Sequence, residues 1–353
     1  MAPDAEIYAK SSNVDIEYGT YGEHYNDLSW FIDNYCDVIN CSFGVTGTSG
    51  NYDNGLIDSI YDYIIRSVFI SIVASAGNDY YDHYVYSLGL GFNVITVGGV
   101  VQASMNSTTD WIHAPEASYI SYLPTVKPNI SAPYKVFIPN CSPYLFDGTS
   151  FAAPMVTAAI ALLCDKDTSY AIYPESINSI ILATGKQVSS GFSQITNTSF
   201  DNKTGAGILN IGKMLSDTVH TVRTSLNITS SSTNSETIQS QLVFIGNAGL
   251  TQIGMSWLQY IDYNGVLTNI ALCVPNYDIE FKPTLQMLNY LTSSSNGEYS
   301  NIEFIRKSIP TNAESYYLII LKRESLPEFY DFPNLWGTTY TEYLSISYDW
   351  GIQ

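Results

Sequence analysis

The octet Asp147-Gly148-Thr149-Ser150-Phe151-Ala152-Ala153-Pro154 runs straight into an apolar, alanine-rich stretch that continues to Cys164. This pattern predicts a helix from Ser150 to Cys164 that is buried on most of its sides. A serine hydroxyl at a helix start lies beside unpaired backbone N–H groups and the positive end of the helix dipole, surroundings that favour an oxyanion. Gly148 removes a side chain where another molecule would approach. Pro154 is expected to cost little, because an N–H in the first turn has no helical partner to lose. On the octet alone, Ser150 reads equally well as a nucleophile and as an ordinary N-cap.

Working outward, Ala5 to Ala9, Asp37 to Phe43, Phe69 to Ala74 and Asn93 to Val97 are short apolar runs bounded by Gly, Asn, Asp and Ser. They have the length of buried strands. Asn26 to Tyr35 and Asn54 to Ser67 lie between them and carry apolar residues at helical spacing. Strand and helix in alternation predict an α/β region, a parallel sheet with helices on both faces, extending to about Asp217. From Thr218 the texture changes. Residues 218–240 are rich in Ser, Thr and Asn and read as a linker, while 241–353 hold alternating or β-rich runs. Turn signals such as Tyr263-Asn264-Gly265 and Asn296-Gly297 separate those runs, a pattern that predicts a C-terminal antiparallel β-sandwich.

The chain of 353 residues has 14 basic and 33 acidic side chains and a formal charge of -19. That field repels phosphate backbones and anionic bilayers, so nucleic acid is not an expected partner. No apolar run reaches the roughly 18 residues of a spanning helix, because Arg66 interrupts one stretch and Cys164 to Asp167 end another. The five cysteines form no CxxC pair and are expected to be buried free thiols, with no metal site. Met1 to Glu6 contain neither a basic nor an apolar leader region.

Four segments occur in a telling order: Asp37-Val38-Ile39-Asn40-Cys41-Ser42-Phe43-Gly44, Val73-Ala74-Ser75-Ala76-Gly77-Asn78, Lys127-Pro128-Asn129-Ile130-Ser131-Ala132-Pro133, and Gly148 to Pro154. In order and approximate spacing they resemble the subtilisin-like serine proteases (peptidase S8). Ala2 to Ala9 resemble the segment that follows the catalytic-histidine helix of that family. Gly205-Ala206-Gly207-Ile208-Leu209-Asn210 resembles its closing segment, so the likeness covers about residues 1–217, the expected peptidase portion. It implies that Ser150 is the nucleophile of an acyl-enzyme, and that Asn78 and the Ser150 backbone N–H meet the oxyanion. Ser42, Phe43, Gly44, Ala74, Ser75, Ala76 and Gly77 would wall a groove for a polypeptide substrate. No cofactor is implied, structural calcium is left open, and an extracellular or cell-surface place follows from the family alone.

The departures matter equally. The family needs an Asp in an Asp-Ser/Thr-Gly context and a His in a His-Gly-Thr context, and neither motif is present. His24, His83, His113 and His220 read as surface or loop residues, and Asp15 and Asp79 lack the required neighbours. Without a base to take its proton and a carboxylate to orient that base, a serine hydroxyl is a poor nucleophile. The expected protein is therefore the C-terminal portion of a serine endopeptidase, N-terminally incomplete, whose Asp and His lie in an upstream fragment. The alternative is a pseudo-protease that keeps the groove as a peptide-binding module. Asn129 stands where the family usually has an acid and Tyr134 where it usually has Gly, which puts that loop's conformation in question. Specificity is not legible, because pocket depth rests on the loop from Tyr86 to Phe92.

Overall fold

The structure, a computed structural model, describes residues 2–11, 21–44, 56–79, 85–104, 110–120, 127–139, 141, 144–188, 200–229, 236–244, 249–263, 270–273, 277–283, 293–294, 301–309, 316–323 and 339–350. His83, Asp15 and the turns at Asn264-Gly265 and Asn296-Gly297 lie outside these residues.

The first half is built on a five-stranded sheet of β1 (Val38–Cys41), β2 (Ser71–Ser75), β3 (Ile95–Gln102), β4 (Trp111–His113) and β5 (Ile130–Pro133). Pairs β1–β2, β2–β3 and β3–β5 are parallel, and β4 runs antiparallel to β3. All of β2 is buried, and the two-residue period of a strand sends its side chains to opposite faces. Ile72 and Ala74 meet α1 (Tyr21–Asp33) and α2 (Leu56–Val68) in one apolar cluster, while Val73 joins α3 (Thr149–Lys166) and α4 (Pro174–Thr184) in another. Helices therefore cover both faces, as the alternation of runs predicts. Each large aliphatic side chain so buried contributes about 1.5–3 kcal/mol. The helix from Ser150 is buried along one broad face only, through Ala152, Ala153, Val156, Ala159, Ile160, Leu163 and Cys164.

Two expectations need correction. Ala5 to Ala9 do not form a strand: the segment has no ladder partner among the described residues, and Ile7 is 90 % exposed. An extended stretch becomes a strand only where a neighbour takes its N–H and C=O groups. Here side chains hold it against α1 instead, with Tyr8 edge-on to Trp30 and Lys10 paired to Asp27. The stretch 218–240, expected as a linker, contains β8 (Val219–Thr229) and the start of β9 (Glu236–Phe244). Val222 and Leu226 pack on a core, while Thr221 and Arg223 on the other face bond Ser347 and the buried Glu175, so a polar composition conceals a packed strand. Upstream of these strands, β6 (Lys135–Val136) and β7 (Phe146–Asp147) form a short hairpin at the entrance to α3.

The second half contains β10 (Gly249–Trp257), β11 (Tyr260–Tyr263), β12 (Ile270–Cys273), β13 (Tyr277–Pro283), β14 (Ser293–Ser294), β15 (Ile302–Ile309), β16 (Tyr316–Arg323) and β17 (Thr339–Trp350). Two antiparallel four-stranded sheets, β15-β10-β17-β8 and β14-β13-β16-β9, enclose a core of Ile253, Met255, Trp257, Ile279, Ile319, Leu321, Leu344 and Ile346. The outer face of the first sheet rests on α4, every residue of which is buried. At Gly254 an added Cβ would sit 2.5 Å from the Cβ of Leu182 and 2.6 Å from the Ser179 carbonyl. Only glycine lets β10 approach the helix this closely.

Candidate functional site

The C-terminal ends of β1 and β2 and the N-terminus of α3 converge. Cys41 and Ala74 are ladder partners, so Ser42 and the Ala76-Gly77-Asn78 turn leave the sheet side by side. Gly148, with φ 131°, has no side chain to cap α3, and the cap comes from elsewhere: Thr149 N–H donates to Asn78 Oδ1 at 2.9 Å. The Thr149 hydroxyl accepts from Gly77 N–H at 3.1 Å and lies 3.1 Å from Asn78 Oδ1. A backbone N–H can only donate, so the Asn78 amide is oriented with its oxygen toward Thr149. Its Nδ2 is left without an acceptor among the described residues, and so is Ser150 N–H. Two donors at the start of α3, next to Ser150, therefore stand open among the described residues. A Cβ at position 148 would lie 3.4 Å from Asn78 Nδ2, so Gly148 keeps this approach clear.

Pro154 plays a part that its position in the sequence conceals. It is the sixth residue of α3, not a first-turn residue, and its missing N–H would have bonded Ser150 C=O. Ser42 Oγ supplies that bond from outside the helix at 2.8 Å, and Ser150 Oγ donates in return to Ser42 C=O at 3.1 Å. Asn40 Nδ2 donates to Ser42 Oγ at 2.9 Å, and Thr157 Oγ1 to Asn40 Oδ1 at 3.0 Å. The proline thus opens a carbonyl that ties the helix start to the end of β1.

Of the expected groove walls, Phe43 is exposed, at 41 %, and Ser42 and Gly44 on either side of it are half-buried. Ala74, Ser75 and Ala76 are buried. The Ala76 main chain is engaged inside the protein, its N–H by Val97 C=O and its C=O by Tyr86 N–H, and Gly77 C=O accepts from Ser118 N–H. Their side of the groove is therefore shaped by packing, whereas Phe43 and Gly44 make no main-chain hydrogen bond among the described residues.

No described histidine bonds Ser150. His24, expected at the surface, is buried where α1 crosses α2; it lies edge-on to Tyr61, and burial lowers its pKa. His113 Nε2 is 3.1 Å from Ala117 C=O, and His220 stacks on Tyr348 in the second half. Cys41, behind Ser42, is a buried thiol whose pKa is pushed up to about 12 by desolvation, so it offers no competing thiolate. The free thiols are not uniformly buried: Cys164 is, Cys36 is half-buried and Cys141 is exposed. Among the described residues no cluster of three His, Cys, Asp or Glu could hold a metal, and no helix is long and apolar enough to cross a membrane.

Sequence reasoning did not find the buried charges beneath the site. Asp58 and Asp62, one turn apart on α2, accept from the main chain of the loop that precedes β3: Leu88 N–H to Asp58 at 2.6 Å, and Phe92 and Asn93 N–H to Asp62 at 2.8 and 2.6 Å. Lys127 is buried with them and donates to Val94 C=O at 2.7 Å. Burial pushes the Asp62 pKa above and the Lys127 pKa below their ordinary values. The only sequence cue was two acids at helical spacing in an apolar run. Asn129, buried in place of an acid, accepts from Thr96 N–H and from Lys127, and Tyr134 packs over Gly99.

Residues 1–207 match the subtilase family, peptidase S8. No curated protein matches the chain. Solved structures similar to it include the prenylagaramide maturation protease PagA, with 20 % identity and a TM-score of 0.41 over 59 % of this chain and 70 % of that one. The patellamide maturation protease PatA has 19 % identity and a TM-score of 0.43 over 57 % and 70 %. Fervidolysin from Fervidobacterium pennivorans, a keratinolytic enzyme related to subtilisin, has 16 % identity and a TM-score of 0.43 over 83 % of this chain and 44 % of its own.

Proposed function

The chain belongs to the subtilase family, and from that premise we propose that it is a serine endopeptidase in which Ser150 attacks the peptide carbonyl and Asn78 Nδ2 and Ser150 N–H receive the oxyanion. The observation that carries this reading is the pair of donors beside Ser150, Asn78 Nδ2 and Ser150 N–H, that have no acceptor among the described residues, the Asn78 amide being held in place by Thr149. Donors fixed before the reaction stabilise charge as it develops without reorganising. Residues 1–217 act as the peptidase portion, with the sandwich packed behind it. The base and its orienting carboxylate are assigned to Asp-Ser/Thr-Gly and His-Gly-Thr motifs, which residues 1–353 lack; among the described residues Ser150 Oγ donates to the Ser42 carbonyl.

The same hydrogen bond favours a second reading, a groove that binds peptides without cutting them. One experiment separates the two. A segment carrying Asp-Ser/Thr-Gly and His-Gly-Thr is supplied, fused or as a separate chain, and the protein is treated with a fluorophosphonate probe. Labelling of the wild type and none of Ser150→Ala is the expected result. Absence of labelling in both, with peptide binding retained, establishes the binding module.

A further inference from the structure

We propose that Tyr86 sets the depth of the side-chain pocket beside Ser150 and limits the substrate residue on the acyl side of the cleaved bond to glycine, alanine or serine. The inference rests on the reading of Ser42–Gly44 and Gly77–Asn78 as the two sides of a peptide groove. A carbonyl whose oxygen lies between Ser150 N–H and Asn78 Nδ2 has its own residue's side chain one bond away. That side chain must enter the crevice next to both donors, between Phe43-Gly44 on one side and Gly77 on the other. Each side presents a glycine there, which would leave a slot of some depth.

Among the described residues the Tyr86 side chain occupies this slot. A Cβ added at Gly77 would meet Tyr86 Cγ and Cδ1 at 2.7 Å and Cε1 at 2.9 Å, and one added at Gly44 would meet Tyr86 Cβ at 2.8 Å and Ser87 C=O at 2.7 Å. The ring therefore lies against bare backbone and spans the space between the two walls. Its main chain is fixed, because Tyr86 N–H donates to Ala76 C=O at 2.9 Å and Gly89 N–H to Tyr86 C=O at 3.0 Å. The residues that follow are anchored on the buried carboxylate of Asp58, through Ser87 Oγ at 3.1 Å and Leu88 N–H at 2.6 Å. A large substrate side chain would have to displace the ring from the gap between two glycines while the loop beneath it is held. A methyl or hydroxymethyl group needs no such displacement.

Binding tests this without hydrolysis, so it needs no acid–base pair. Fluorescent tetrapeptide amides identical except for a last residue of Gly, Ala, Val, Leu or Phe are titrated into the full chain by anisotropy. Affinity should fall beyond Ala, with Phe weaker by about tenfold or more, the scale on which apolar pockets discriminate by size. Tyr86→Ala should remove or reverse that order, and Tyr86→Phe, which keeps the ring, should preserve it. If Tyr86→Ala does not fold, Tyr86→Leu and the wild-type series still decide. Measurable binding with no dependence on the last side chain overturns the assignment of Tyr86 and leaves the groove standing. Binding of none of the peptides overturns the groove, and Tyr86 with it.

Discussion

Around Ser150 the protein leaves hydrogen-bond donors open at the surface, whereas along α4 most polar groups are bonded across the seam, Glu175 Oε2 being a buried oxygen without a hydrogen-bond partner among the described residues. At the first site Asn78 Nδ2 and Ser150 N–H have no acceptor among the described residues, and Asn78 is exposed. At the second, Asn178 Nδ2 donates to Ser256 Oγ at 2.9 Å and Ser179 Oγ lies 3.1 and 2.8 Å from Ser345 and Ser347. Gln252 Nε2 donates to Ala183 and Gly185 C=O, Arg306 to Gly185 and Ala206 C=O, and Arg223 pairs with the buried Glu175. Open donors are inexpensive where water reaches them and costly where it does not. The contrast separates a surface kept ready for a ligand from a permanent seam. It also implies that substitutions at the seam act on stability, and those at the site on binding and chemistry.

The largest effect is expected at Arg223. Its guanidinium pairs with Glu175 and stacks on Tyr173 at 4.0 Å from the ring centre. Arg223→Ala leaves a buried carboxylate unpaired, and urea unfolding at pH 7 should show a loss of about 3–5 kcal/mol. Burial already raises the Glu175 pKa against the pull of Arg223, and the substitution raises it further. A carboxyl with a raised folded pKa contributes its stability below the unfolded value and loses it as pH rises. The gap between variant and wild type should therefore be small near pH 4 and widen toward neutral. A loss independent of pH would show that the pair is not what holds the seam.

A smaller loss is expected at Gly254, where a methyl group must push α4 and β10 apart. Gly254→Ala should cost about 1–3 kcal/mol by the same measurement. No loss would mean that the sheet and helix part easily, and the contrast with the open site would weaken. The smallest effect belongs to Asn78→Ala, which removes an acceptor for Thr149 N–H and for the Thr149 hydroxyl at an exposed turn, the hydroxyl keeping Gly77 C=O as an alternative. Its cost in stability should be about 1 kcal/mol or less. A cost as large as that of Arg223→Ala would make Asn78 part of the framework and remove the distinction between the two regions.

Much of this contrast escapes a reading of the sequence for a simple reason. The site draws on a few short segments with strong local signals: a glycine before Thr-Ser, an asparagine after Ala-Gly, a strand ending in Ser-Phe-Gly. The seam draws on Glu175, Arg223, Asn178 and Ser256, none of which differs in its local context from a residue facing solvent. The strand β8 illustrates the point, since Thr221 and Arg223, which read as solvent-facing, bond Ser347 and Glu175.

By itself the sequence determined the alternating α/β region and the antiparallel second half, because strand length, helical period and turn residues act within a few positions of themselves; that Ser42, Asn78 and Ser150 belong to one site was only what the family resemblance implied. Only the tertiary structure decided that Ala5 to Ala9 go unpaired, that Pro154 frees a carbonyl for Ser42, and that Tyr86 stands between Gly44 and Gly77. Each of these depends on which backbone atoms lie opposite one another across tens of residues, and that is set by packing of the whole chain, not by any local preference.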